Sequence, residues 1–169
     1  MNPSMIEKSQ LTKIRNFDTE GTCFACGPDN PFGLHMTFYR DEKTVYSWVN
    51  VPLQLCGWQN ILHGGIISTI SDEVMSWTAH HLIKKLIMTR SITVDFLQPL
   101  YAETNIRVEG WINHLKSERQ AVLEARLINA KEKVCAKATG SFALLTPKVA
   151  RRLGVIGEEN IQKFERHLG

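Results

Sequence analysis

Apolar residues recur along this chain at two different periods, and the changes of period divide it into elements. From Leu34 to Arg40 the pattern alternates, with Leu34, Met36 and Phe38 against His35, Thr37 and Tyr39, and predicts a strand. Asp41, Glu42 and Lys43 form a turn, and Thr44 to Val51 alternates again until Pro52 stops it. The period then lengthens. Between about Gly65 and Lys84, the residues Ile66, Ile67, Ile70, Val74, Trp77 and His81 fall within one arc of roughly 100°, the stripe an amphipathic helix buries. Four alternating runs follow, over Arg90–Leu97, Asn105–Leu115, Arg119–Asn129 and Glu132–Leu145. In the second of these, Ile106, Val108, Gly110 and Ile112 point inward, with Arg107 and Glu109 outward. The joints at Lys116–Glu118 and Ala130–Lys131 are as short as antiparallel hairpins require.

Around this framework, residues 4–16 read as a short leading helix, a Cys/Gly/Pro-rich loop follows, and residues 53–62 form a second loop. Arg151–Gly154 and Glu158–His167 read as a short helical tail with no evident catalytic role. The order is two strands, one long helix and four strands. A lone helix with one apolar arc is most simply buried by curling an antiparallel sheet around it, which predicts an α+β fold of about six strands on a central helix.

The helix face opposite the apolar arc carries Gly65, Ser68, Thr69, Asp72, Ser76 and Ala79. A solvated face would be rich in Lys, Glu and Arg. This one is small and hydroxylic with a single carboxylate, so it predicts close packing against a second subunit, a ligand or both. The helix starts at His63-Gly64-Gly65, where two glycines leave backbone N–H groups open to an oxygen atom, and the helix dipole favours negative charge there. Asp72 lies roughly 10 Å further along the axis at about 1.5 Å per residue, too far to serve the turn of its own helix. If both belong to one site, Asp72 faces a Gly-Gly turn from another chain, or the substrate spans the gap.

The chain has 169 residues, 43% of them apolar, enough for one domain with a core, and its formal charge is only +3. Without an Arg/Lys block longer than two residues, a nucleic-acid partner is not expected. No apolar run reaches 18 residues and the first residues are polar, so neither a membrane span nor a signal peptide is expected, and the expected location is the cytoplasm. The four cysteines stand at 23, 26, 56 and 135. Cys23-x-x-Cys26 raises zinc or redox chemistry, but no second closely spaced Cys/His pair follows, and Gly27-Pro28 and Asn30-Pro31 make the segment a loop, so no metal is expected and the thiols are read as free.

His63-Gly64-Gly65 with Asp72 nine residues after the histidine, then Met88–Leu100 (MTRSITVDFLQPL), resemble the hotdog-fold acyl-CoA thioesterases, specifically their PaaI-like branch. Cys23–Leu34 (CFACGPDNPFGL) is similar to an opening seen in some bacterial members. The resemblance covers about residues 23–146, which sets a domain between an extension over 1–22 and a tail over 147–169. It implies hydrolysis of an acyl-CoA thioester in a homodimer or homotetramer, with coenzyme A entering only as part of the substrate.

On this resemblance Asp72 is the general base for water or a nucleophile on the acyl carbon, and Glu73, 100° round the helix, is the alternative carboxylate. Gly64 and Gly65 would polarise the carbonyl, with Gly65 N–H the better donor, while His63 orders the turn. Asn60, with Gln59 beside it, would hydrogen-bond the carbonyl or the water, and Thr89 would help place the water; a turn-forming Asn and an ordinary β-branched strand residue are the plain readings of these two. Arg90, Lys84 and Lys85 are candidate contacts for the nucleotide phosphates, and Trp58, Trp77 and Phe96 could line an acyl pocket or belong to the core. His80 and His81 point 100° apart and lack a carboxylate at ligand spacing, so they are read as structural. Two other functions fit the pattern less well. An enoyl-thioester hydratase would want a catalytic His with an Asp at another spacing, and a non-catalytic acyl-CoA sensor leaves Asp72 without a task.

Overall fold

The computed structural model describes residues 6–17 and 21–168. Seven strands form one sheet, in the spatial order β1 (Thr12–Lys13), β2 (Phe38–Arg40), β3 (Thr44–Asn50), β7 (Asn105–Ser117), β8 (Gln120–Ile128), β9 (Val134–Leu145) and β6 (Leu86–Phe96). Every pairing is antiparallel. A two-stranded ribbon, β4 (Cys56–Trp58) with β5 (Ile61–Leu62), leads into helix α1 (Gly64–Thr78), and α2 (Pro147–Leu153) and α3 (Glu158–Leu168) follow the sheet.

The sheet wraps α1 because one stripe of that helix is apolar. Ile67, Ile70, Val74, Met75 and Trp77 are buried together with Val45, Ile106, Val108, Leu123, Leu127 and Phe142 from the strands. Burying one such side chain is worth about 1.5–3 kcal/mol, so this contact dominates the fold. Gly110 in β7 and Gly140 in β9 let the helix approach: a Cβ at Gly110 would stand 2.7 Å from Thr78 Oγ1 and 3.1 Å from the Val74 carbonyl. A second, smaller core of Leu86, Leu145, Ala150, Ile161 and Phe164 docks the C-terminal helices on the sheet.

Several expectations are corrected. The leading helix is a single 3-10 turn at Lys8–Gln10 followed by β1, whose Thr12 and Lys13 pair with Arg40 and Tyr39; residues 4 and 5 lie outside the described residues. With Ile14 also buried, this part of the 1–22 segment belongs to the sheet and core. The strand expected from Leu34 begins only at Phe38, because His35 takes a left-handed conformation (φ 48°) and Leu34 and Met36 donate instead to the carbonyls of Phe24 and Ala25. The 53–62 loop contains the β4–β5 ribbon. The central helix continues past Thr78 as a π turn over Ala79–Ile83 and stops at Lys84 in the left-handed region (φ 60°). Glu109, expected to point outward, is buried because Arg107 and Arg126 both donate to it, at 2.9 and 2.6 Å. Arg107 also clasps Glu132 through two bonds of 2.7 Å, a charged chain across β7, β8 and the β8–β9 turn.

Candidate active site

Strand β6 is an edge of the sheet, paired only to β9 among the described residues. An 11-residue edge without a cover is a template for another strand. Its pairing register shifts at Arg90: Thr89 stands opposite Phe142 and Ser91 opposite Ser141. This bulge changes the parity of the strand, so Thr89 shares the helix-facing side with Ile92, Val94 and Phe96. Thr89 thereby reaches α1, and its Oγ1 donates to Asp72 Oδ1 at 2.9 Å. Burial raises the Asp72 carboxyl above its ordinary range, and the Thr89 bond opposes that shift.

The rest of this helix face is polar in composition and quiet in hydrogen bonding. Ser68, Thr69 and Ser76 donate to the carbonyls four residues earlier, at 2.9, 3.0 and 2.8 Å. Asp72 is the one ionisable group among them. Glu73, by contrast, turns toward the N-terminal loop. Trp77 Nε1 donates to its Oε1 at 2.9 Å and Cys23 Sγ stands 4.0 Å from its Oε2, and burial, reinforced by the charge on Cys23, pushes its carboxyl up to about 7. The hydrogen bond from Cys26, with help from backbone N–H groups, brings the Cys23 thiol down to about 5, while that bond to Cys23 and burial push Cys26 up. Asn16, Phe17, Glu73, Ser76, Trp77, Met88 and Thr89 line one groove of about 480 Å³ with both cysteines.

At the helix N-terminus, His63 is the N-cap and its Nδ1 accepts from Gly65 N–H at 2.9 Å. The Gly65 N–H expected to polarise a carbonyl is therefore engaged by the neighbouring imidazole. Ile66 and Ile67 N–H both donate to the His63 carbonyl, which leaves Gly64 N–H as the amide of this turn without a partner among the described residues. Gly64 lies under the Phe96 ring, 3.3 Å from a Cβ it does not carry, in a cavity of about 360 Å³ walled by Ile61, Leu62, Ile67 and Phe96 to Leu100. Within one chain, then, the Gly64 turn under Phe96 and the Asp72–Thr89 pair lie apart, at opposite ends of β6.

The remaining expected residues are more loosely placed. Asn60 is exposed at the β4–β5 turn, where its carbonyl accepts from Ala102, and Trp58 beside it is 80% exposed. Arg90 and Lys84 are exposed, and Lys85 lends its carbonyl to His80 Nδ1–H at 2.9 Å. Trp77 belongs to the core, stacked on Phe38 at 4.8 Å. His80 packs among Phe17, Trp77 and Phe164, and burial lowers its pKa to about 4; burial likewise lowers His81 to about 3, so both imidazoles are neutral structural groups.

A sheet wrapped around one central helix, with a glycine turn at the helix start and a lone carboxylate on its small-residue face, defines a hotdog-fold protein. Residues 59–136 match the family described as Thioesterase superfamily. Among solved structures the chain is similar to S. sahachiroi AziG (20% identity, TM-score 0.60, covering 66% of this chain and 92% of that one). It is similar also to the PaaI protein of the E. coli phenylacetic acid degradation operon (18%, 0.61, 67% and 81%). A third is smu.793 of Streptococcus mutans UA159, bound to acetyl CoA (18%, 0.60, 65% and 88%). No curated protein matches the sequence. No helix among the described residues is long and apolar enough to cross a membrane.

Proposed function

We propose that this protein hydrolyses an acyl-CoA thioester to the free acid and CoA, in a homodimer whose two sites each draw residues from both chains. The observation that carries the reading is the placement of both half-sites on the free edge β6. An antiparallel pairing of two β6 strands about a two-fold near Ile92 and Thr93 sets the Thr89 end of one copy against the Phe96 end of the other. The Asp72 carboxylate of one chain then meets the Gly64 turn of its partner. Exposed Met88, Phe96 and Leu97 along and just beyond this edge support such a cover.

In this site the thioester carbonyl oxygen takes the Gly64 N–H, aided by the helix dipole. Asp72, steadied by Thr89, accepts a proton from water as the water oxygen bonds to the acyl carbon. Collapse of the tetrahedral intermediate breaks the C–S bond, and the departing sulfur takes the proton to leave as CoA thiol. A carboxyl raised by burial is a better base for this step than an ordinary surface aspartate. The acetyl CoA bound to smu.793 supports the choice of a CoA ester. Arg90 and Lys84, exposed near the same edge, are the proposed contacts for the nucleotide phosphates.

The test is release of CoA from short, medium, long and aryl acyl-CoAs, together with the mass of the protein in solution. Turnover on at least one class by a dimer or a dimer of dimers is expected. Binding without release on every substrate would overturn hydrolysis and favour an acyl-CoA sensor, and an active monomer would overturn the shared site.

A further inference from the structure

The loop over 21–34 and helix α1 bring three ligating side chains to one point. The ligand atoms of Cys23, Cys26 and Glu73 all lie within 4.8 Å of one another, although the glutamate is 50 residues from Cys23 in sequence. The cysteines alone lacked the further ligands a metal site needs; the helix supplies a third. We propose that Cys23 Sγ, Cys26 Sγ and Glu73 Oε2 bind one borderline-soft divalent cation of the zinc class, with the fourth position open to the groove.

The loop is built to hold this arrangement. Backbone N–H groups of Ala25, Cys26 and Gly27 point at the Cys23 sulfur, a setting that favours a thiolate. Gly27 N–H also closes the turn on the Cys23 carbonyl at 2.9 Å. A Cβ at Gly27 would stand 2.4 Å from both Cys23 N and the Gly21 carbonyl, so the turn admits only glycine there. Asn16 Nδ2 donates to the Cys26 carbonyl at 3.1 Å, and Leu34 and Met36 N–H donate to Phe24 and Ala25, which pins the residues between the cysteines on both sides.

On the helix side, Trp77 Nε1 holds Glu73 Oε1 and directs the other oxygen toward the sulfurs, the service an outer partner gives a metal-binding carboxylate. No Lys, Arg or His forms an ion pair with Glu73 among the described residues. Two sulfurs and a carboxylate thus converge without a positive partner, the electrostatic setting a cation relieves. Bonds of about 2.3 Å to sulfur and 2.0–2.2 Å to oxygen put tetrahedral ligands about 3.5–3.8 Å apart, so the three atoms need to draw in by roughly 1 Å or less. Binding releases the thiol protons to solvent. This site does not depend on the hydrolase reading.

The test is an anaerobic titration of the reduced full-length protein with Co²⁺, followed by displacement with Zn²⁺. One equivalent per chain is expected, with sulfur-to-cobalt charge transfer in the near ultraviolet and strong visible bands of a tetrahedral ion. Cys23→Ser and Cys26→Ser should abolish them, Glu73→Gln should weaken binding at least tenfold, and Cys56→Ser should leave them unchanged. Absence of the bands overturns the proposal, as does their survival in Cys23→Ser or an unaltered affinity in Glu73→Gln. Where a cysteine variant loses its circular dichroism, Glu73→Gln alone decides. A chain isolated with a Cys23–Cys26 disulfide that takes no Co²⁺ after reduction likewise overturns it.

Discussion

Replacing Asp72 by asparagine exchanges one carboxylate oxygen for an amide and leaves the other able to accept the Thr89 hydroxyl, now 2.9 Å away. The helix backbone and its packing are untouched, so the variant removes the base and little else. A positioned general base contributes about 10²–10⁴-fold, or about 2.7–5.5 kcal/mol at 1.36 kcal/mol per tenfold. Asp72→Asn should therefore lower kcat by at least a hundredfold with KM little changed. Stability should move the other way. The folded carboxyl is raised above its unfolded value, so its favourable contribution is present at acid pH and is lost as pH rises through the folded pKa. At neutral pH the variant, free of that penalty, should melt at the same temperature as the wild type or higher. In the wild type kcat/KM should fall on the acid side through the raised pKa, and this limb should vanish in the variant. The assay should follow loss of the thioester absorbance, because exposed Cys23 would itself consume a thiol-detecting dye. Activity within tenfold of the wild type would refute the assignment.

Three further substitutions probe the supports. Thr89→Val should cost about tenfold or more in kcat, since hydrogen bonds to charged groups are worth about 1.5–3 kcal/mol, whereas Thr89→Ser should stay near the wild type; a loss in Thr89→Ser with Thr89→Val near the wild type would show that the methyl matters and the hydroxyl does not. Glu109→Ala strands Arg107 and Arg126 and should cost about 3 kcal/mol, near the low end because Arg126 is half-exposed, seen as a Tm lower by roughly 6–12 °C; a fall under about 2 °C would mean that the charged chain is not cooperative. Gly110→Ala should cost about 1–3 kcal/mol and lower activity as α1 is pushed from β7; a variant as stable and active as the wild type would show that Thr78 rotates away freely.

The elements that carry the fold were readable because their burial follows a single period. Ile67, Ile70, Val74 and Trp77 mark α1 by spacing alone, and the alternation of Ile106, Val108 and Leu123, Leu127 marks β7 and β8. What escaped depends on distant partners. His35 leaves the extended region without a glycine to announce it, because Leu34 and Met36 bond to the cysteine loop. Glu109 reads as an outward charge until Arg126, on the next strand, closes over it. At the candidate site the Gly-Gly turn and Asp72 stand out in the sequence, but the engagement of Gly65 N–H by His63 does not. Nor does the bulge at Arg90 that aims Thr89 at the helix, since an unbroken alternation would set Thr89 and Phe96 on opposite faces.

The position of Thr89 and Phe96 at opposite ends of one edge strand also has a genetic consequence. On the proposed pairing, an Asp72→Asn chain and a chain with a spoiled Gly64 turn are both inactive alone. In a mixed dimer both defects fall in the same site, and the other site receives two sound halves. Two null alleles expressed together should complement, and random assortment of equal amounts should restore about one quarter of the wild-type sites. A site contained within one chain would give no such rescue.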